Sequence, residues 1–371
     1  MKKENNSKIL ILIIALIVIA LIVIASITIS KPETKTVKVG FITGITGTTS
    51  YLGVPNSKAV FLAEKKLKEI YGEEAVQIIV EDSKSDSKEA ANAANKLINV
   101  DNVDAIFVEF TGPSGAVVPI AKDNDIAVLY SAYTTDPLTK YEYSLKTYRN
   151  AEAECTIYAK IAKSKGIEKI AVLDGAGGTN GIDCQRGALN YYTPENVKIE
   201  NLAGVQDIKT VILKLSNEGY NGLFSYLYEN ATISVLAAKL DYGLDNMIFF
   251  GDASNTYTDK IKETIGTNNL NGTIISTLKY SDKFTNDYYL EYGNTDGVTA
   301  NAPTNYDGII KLYSAVKKCG KENKDCIVDA VLNDKLTSTV INYGPSIGRS
   351  LNPQIDYHII ENGKPVLLNI E

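Results

Sequence analysis

The stretch VKVGFITGITGTTSYLG, Val37–Gly53, decides how the rest of the chain is read. A β-branched run, Val37–Ile42, stops at a loop of Gly, Thr and Ser, and the loop leads into a helical pattern. There Val60, Leu62, Ala63, Leu67 and Ile70 share one stripe, with Glu64, Lys65, Lys66 and Lys68 largely opposite. That spacing marks a helix with one buried face. A short apolar strand, a loop of small residues and an amphipathic helix make one unit of a parallel sheet covered on both sides.

The unit recurs along the chain. Strand-like runs occupy Val76–Glu81, Val103–Glu109 and Asp125–Ser131; after a break they return at Lys169–Asp174, Val197–Leu202, Asn221–Tyr226 and Asn246–Gly251. Ser87–Ile98 and Ala300–Lys317 read as further helices. Two groups of units predict two sheets, hence two α/β lobes with Rossmann-like parallel sheets. Near the end, two alternating runs flank Asn362-Gly363, a hairpin signal that places His358 in a strand.

Upstream of the first unit, Lys2, Lys3 and Lys8 precede an apolar run from Ile9 to Ala25, extended by Ile27 and Ile29. A helix of that length spans about 30 Å, the thickness of a hydrocarbon core. A cleavable signal carries a shorter apolar region of about 7–15 residues. The reading favours an uncleaved anchor over a cleaved signal: residues 1–8 a cytoplasmic stub, 9–29 a transmembrane anchor or signal, 30–36 a linker. It makes the protein a single-pass protein of the cell membrane, with the membrane as a partner and the ligand-binding part extracytoplasmic.

A formal net charge of −6 argues against a nucleic-acid partner, which favours a basic face. The four cysteines suit an oxidising compartment. Cys319 and Cys326 bracket the polar loop CGKENKDC, and Cys155 and Cys184 each lie near the start of a predicted helix beside one strand. The expected disulfides are 319–326 and 155–184; the alternative is buried free thiols. No C-x-x-C occurs and His358 is the one histidine, so neither a metal site nor a histidine-dependent nucleophile is expected. DGAGGTNG, Asp174–Gly181, begins like a dinucleotide loop, but Asn180 stands where the third glycine belongs. No cofactor and no enzyme activity are expected.

In open parallel sheets, ligands bind beyond the carboxyl ends of the strands. Here those ends are the polar loops Thr43–Gly53, Glu109–Ala116, Ser131–Pro137, Asp174–Gly181, Tyr226–Asn230 and Gly251–Tyr257. Any one of them is an ordinary turn; six together, carrying aromatics and acids, point to a ligand cleft.

From Val37 onward the chain resembles the type I periplasmic solute-binding proteins of the branched-chain amino-acid (leucine/isoleucine/valine) transport group. The resemblance is carried, in order, by VGFITGITGTTSYLG, IVEDSKSDSKEAANAANKLI, VDAIFVEFTGPSGAVVPIA, SAYTTDPLT, GLFSYLYEN and NAPTNYDGIIKLYSAV. It implies two lobes joined by three hinge crossings, near Tyr148–Ala151, Ser276–Tyr280 and Val340–Pro345. Residues 37–148 and 278–340 would form lobe 1, and 149–277 and 341–371 lobe 2. It also implies the extracytoplasmic solute-binding component of an ABC importer, which traps an amino acid or related small polar molecule by hinge closure and docks on permease subunits. Ser114, Gly115, Thr134 and Thr135, with Ser131 near, would hold the ligand's carboxylate. Asp252, with Tyr51 and Tyr228, would meet its ammonium. Three departures, Tyr133, Glu109 and Glu229, shrink the cleft and add negative charge, opening it to a polar, cationic or small-amide ligand. Two rival readings remain: a sensing ectodomain working with a partner signalling chain, and an extracytoplasmic amidase-type hydrolase.

Overall fold

The computed structural model describes Ile17 and residues 36–175, 179–295, 298 and 301–370. The first sheet holds β1 (Val37–Thr43), β2 (Val76–Asp82), β3 (Ala105–Glu109), β4 (Val128–Ser131), β5 (Ser144–Lys146), β11 (Tyr343–Ile347) and β12 (Ser350–Pro353), in the order β11-β12-β5-β4-β3-β1-β2. The second holds β6 (Ile170–Asp174), β7 (Val197–Asn201), β8 (Gly222–Tyr226), β9 (Ile248–Asp252), β10 (Ile274–Leu278), β13 (Ile355–Glu361) and β14 (Lys364–Leu367), in the order β14-β13-β10-β9-β8-β6-β7. Each has a parallel centre and an antiparallel edge, β11 on β12 in one and β13 and β14 in the other.

Side chains alternate across a strand, so each central strand feeds two cores. In β3, Phe107 joins Phe41, Val60, Leu67 and Ile309 beneath the helices Ser50–Tyr71 and Asn301–Cys319. Its neighbours Ile106 and Val108 point the other way, onto Ala94, Leu97 and Val117 of the helices Ser87–Asn99 and Thr111–Asp123. The second sheet repeats the plan: Phe224 and Phe250 pack on the helix Ala151–Ser164, while Leu223 and Phe249 pack on Ile212, Leu215 and Leu236. Disulfides join Cys155 to Cys184 and Cys319 to Cys326.

Three short segments connect the halves. The first lies between β5 and the helix Ala151–Ser164, whose N-terminus Asn150 caps by accepting the N–H groups of Glu152 and Ala153. The second lies between β10 and the helix Asp282–Tyr292. The third falls at Gln354, between β12 of the first sheet and β13 of the second, rather than near Val340–Pro345. Although it contains Gly344 and Pro345, β11 pairs along β12, with a register irregularity beyond Gly344. The second and third crossings are laced together: Asn342 N–H donates to the Lys279 carbonyl, Gln354 N–H to that of Asn342, and Lys279 N–H to that of Gln354. Asp307, fully buried in the helix Asn301–Cys319, accepts the N–H groups of Val340 and Ile341 and fixes the start of that ribbon.

The membrane anchor needs correction. Residues 9–29, apart from Ile17, lie outside the described residues, and among the described residues no helix is long and apolar enough to cross a membrane. The longest, Ser50–Tyr71, is apolar on one side only; Glu64, Lys65, Lys66, Lys68 and Glu69 would be costly in hydrocarbon. The described residues form the two sheets with their helices and contain no such span, and the single-pass localisation and the membrane partner are withdrawn with the anchor.

Candidate functional site

The carboxyl ends of the central strands of the two sheets face each other. Between them lies a cavity of about 30 Å³, room for about one water. Leu52, Phe110, Thr111, Ser131 and Tyr133 line it from the first sheet's side, Tyr148 from the first crossing, and Asn180, Tyr226, Tyr228 and Asn255 from the second sheet's side.

Phe110 shows how the sequence shapes this wall. At the exit of β3 its backbone takes φ 68°, ψ 150°, a conformation essentially reserved for glycine and costing about 1–3 kcal/mol. The conformation turns the chain from strand into the helix Thr111–Asp123. Its N–H is tied to the Ser131 carbonyl at 2.8 Å, and its ring stands edge-on to Tyr228 across the gap, centroids 6.4 Å apart.

Four residues of the first lobe make polar contacts across the cleft. The Tyr133 hydroxyl donates to Asp252 Oδ2. The Tyr51 hydroxyl donates to Asn255 Oδ1 and accepts the Glu229 N–H at 3.1 Å. Thr135 donates its N–H to Asp183 Oδ2 at 3.0 Å and its hydroxyl to the same oxygen at 3.4 Å. The Thr111 hydroxyl donates to Asn180 Oδ1 at 3.1 Å. Tyr133 is the central piece. Its ring is edge-on to Tyr148 at 5.1 Å and Tyr226 at 4.8 Å, and it packs against the cores of both halves. Burial pushes the phenols of Tyr51 and Tyr133 well above their ordinary range, so both stay protonated donors.

Of the residues singled out in the sequence, Tyr51, Ser131, Tyr133, Thr135, Tyr228 and Asp252 meet at this cleft. Ser114 lies fully buried in the first turn of its helix, its hydroxyl without a partner, and outside the cavity lining. Gly115 faces open space. Thr134 accepts the Asp136 N–H within its own turn. Glu229 turns to the Thr258 hydroxyl at 2.6 Å and the Lys260 ammonium at 3.5 Å. Glu109 points back into the first lobe, where Thr43, Asn56 and Asn305 donate to it, and burial pushes it up to about 7.

Sequence reasoning missed a charged layer at the hinge. Arg149, 1% exposed, donates to Glu154 at 2.9 Å and to the Ser276 hydroxyl, and its guanidinium lies over the Tyr148 ring. Among the described residues its Nε and Nη2 have no partner. Glu154 also accepts from Tyr226 and Ser276. The Lys146 ammonium donates to the Tyr133 carbonyl; burial pushes it down to about 7, with Asp183 and Glu154 opposing. Asn180 and Asn255 open short helices in stretches the sequence flags as loops; Tyr148, Arg149 and Lys146 carry no local signal. Among the described residues no group of three or more His, Cys, Asp or Glu could hold a metal ion.

Two α/β lobes meeting over one lined cavity define a bilobal small-molecule-binding protein. The periplasmic binding protein family matches residues 36–348, and the chain belongs to that family. It is 24% identical over 316 residues to the Leu/Ile/Val-binding protein homolog 6 of Brucella suis biovar 1, covering 80% of each chain. A leucine binding protein from Thermotoga maritima MSB8 superposes with a TM-score of 0.75 at 20% identity, over 90% of this chain and 98% of that one. A solute binding protein of an ABC transporter from R. palustris, in complex with 4-hydroxybenzoate, gives 0.76 at 20% identity, over 91% and 96%. The fold is the type I periplasmic-binding-protein fold, related to Leu/Ile/Val-binding proteins, and the chain is a solute-binding protein rather than an enzyme.

Proposed function

We propose that the protein is the extracytoplasmic solute-binding component of an ABC importer, that it closes on a small carboxylate-bearing molecule, and that it presents the closed form to permease subunits. The observation that carries this reading is the convergence of hydroxyl and amide groups from both lobes on one cavity, with cross-cleft pairs at Tyr51–Asn255, Thr111–Asn180 and Thr135–Asp183. A ligand stabilises a closed state only to the extent that it touches both halves, and here groups of both are within reach of one small molecule. Solutes enter when the lobes swing apart about the laced crossings, because the closed cavity of about 30 Å³ is far smaller than an amino acid. Two of the related proteins described above are named for leucine and for a complex with 4-hydroxybenzoate, which share a carboxylate. In the present cleft the Ser131 hydroxyl, 2% exposed and without a partner among the described residues, is suited to donate to such a group.

The test is a thermal-shift screen of the purified protein against amino acids, organic acids, amides and sugars, followed by calorimetry and solution scattering. A bound solute raises the melting temperature in step with RT ln(1 + [L]/Kd) and reduces the radius of gyration. If no solute shifts melting or dimensions, the reading fails.

A further inference from the structure

The carboxylates around the cleft share one property: internal donors already occupy each of them. Asp252 is the clearest case. A carboxylate offers about four acceptor positions. Asp252 receives the Ser254 N–H at 2.7 Å and the Ser254 hydroxyl on Oδ1, and the Asn255 amide at 2.9 Å and the Tyr133 hydroxyl on Oδ2. Asp183 is taken by Thr135 and Arg186, Glu154 by Arg149, Tyr226 and Ser276, Glu229 by Thr258 and Lys260, and Glu109 by its three neighbours. Among the described residues, the groups without partners are of another kind. The Ser131 hydroxyl and the Asn301 amide oxygen line the cavity, and Nε and Nη2 of Arg149 lie at the hinge. None of these gives an ammonium a counter-charge, and moving an ammonium out of water without one is expensive.

We infer that Tyr133 is a specificity-determining residue which, by filling the last acceptor position of Asp252, closes the cleft to cationic groups, so that the solute is a small carboxylate without an ammonium. The inference rests on the solute-binding reading and narrows it. The phenolic oxygen of Tyr133 occupies the place where an ammonium nitrogen would have to sit, and its ring is wedged between Tyr148 and Tyr226 from opposite sides of the hinge. An amino acid must therefore displace a buried hydrogen bond before it gains one.

The experiment compares matched pairs by calorimetry: leucine with 4-methylpentanoate, valine with 3-methylbutanoate, and phenylalanine with 3-phenylpropanoate. Each pair differs only in ammonium against hydrogen. In the unmodified protein at least one acid without the ammonium binds, about tenfold or more tighter than its amino-acid partner. In Tyr133→Phe, which keeps the ring and vacates one position on Asp252, that ratio shrinks about tenfold or inverts. Amino acids binding as tightly as their partners in the unmodified protein would overturn the inference. So would failure of all three ammonium-free acids to bind, or an unchanged ratio in Tyr133→Phe. The wider solute-binding reading fails separately, only if the amides and sugars of the screen also leave the protein unaffected.

Discussion

Glu109→Gln should remove a pH dependence that the unmodified protein carries through neutrality. Glu109 is fully buried at the end of β3, accepting Asn56 at 2.8 Å, Asn305 at 2.7 Å and the Thr43 hydroxyl. Burial is the dominant influence, and the three donors offset it only partly, so the group moves from 4.5 up to about 7. At 1.36 kcal/mol per unit, that corresponds to about 3 kcal/mol. The sign follows from proton uptake. The folded state holds this proton more firmly than the unfolded chain, so its contribution is complete below about pH 4.5, declines as pH rises, and is gone above about pH 7. Glutamine cannot ionise, keeps the shape, and accepts the same two amides. Urea unfolding at pH 4.5, 6, 7 and 8 should therefore give the two proteins similar stability at the acid end. At pH 8 the variant should be ahead by about 3 kcal/mol, with an unchanged slope in denaturant. Asp307, also pushed up to about 7 by burial, is common to both proteins and cancels in the comparison. Parallel pH curves for the two proteins, or a variant less stable at pH 8, would refute the reasoning.

Two further perturbations probe the hinge and the closed state. Arg149→Met leaves Glu154 buried without its cation and should cost about 3–5 kcal/mol in urea unfolding, most of it recovered in Arg149→Met/Glu154→Gln; a cost below about 1 kcal/mol would show that the pair does not hold the crossing. Asp183→Ala removes the acceptor of both Thr135 bonds, charge-assisted contacts of about 1.5–3 kcal/mol each in protein interiors. The solute-free variant should be larger in solution scattering and bind its solute at least about tenfold more weakly, and unchanged dimensions would exclude Asp183 as a latch.

Much of the fold is local and so was readable. Strands such as Ala105–Glu109 are continuous apolar runs because both faces are covered, and the Asn362-Gly363 turn between β13 and β14 takes positive φ at both residues, 50° and 72°, as its sequence implies. What escaped depends on partners far away in sequence. β5 has three residues, and β11 and β12 contain Gly344, Pro345 and Pro353, so only pairing makes them strands. The site divides the same way. Tyr51, Ser131, Tyr133 and Asp252 sit at or just beyond strand ends, in stretches the sequence marks as polar loops, where a cleft lining is expected. Glu109 ends a strand in the same way, but Asn56 and Asn305, 53 and 196 residues away, draw it out of the cleft. Arg149 and Lys146 look like surface residues until folding surrounds them, since nothing in their neighbours announces burial.

The two disulfides have a mechanical consequence. Cys155–Cys184 staples helices on the second sheet, and Cys319–Cys326 staples the turn between two helices on the first; neither link crosses a hinge. Each jaw is thus hardened by its own covalent clip while the wrist stays unclipped. A reductant would soften each jaw against unfolding while leaving the wrist's own links intact.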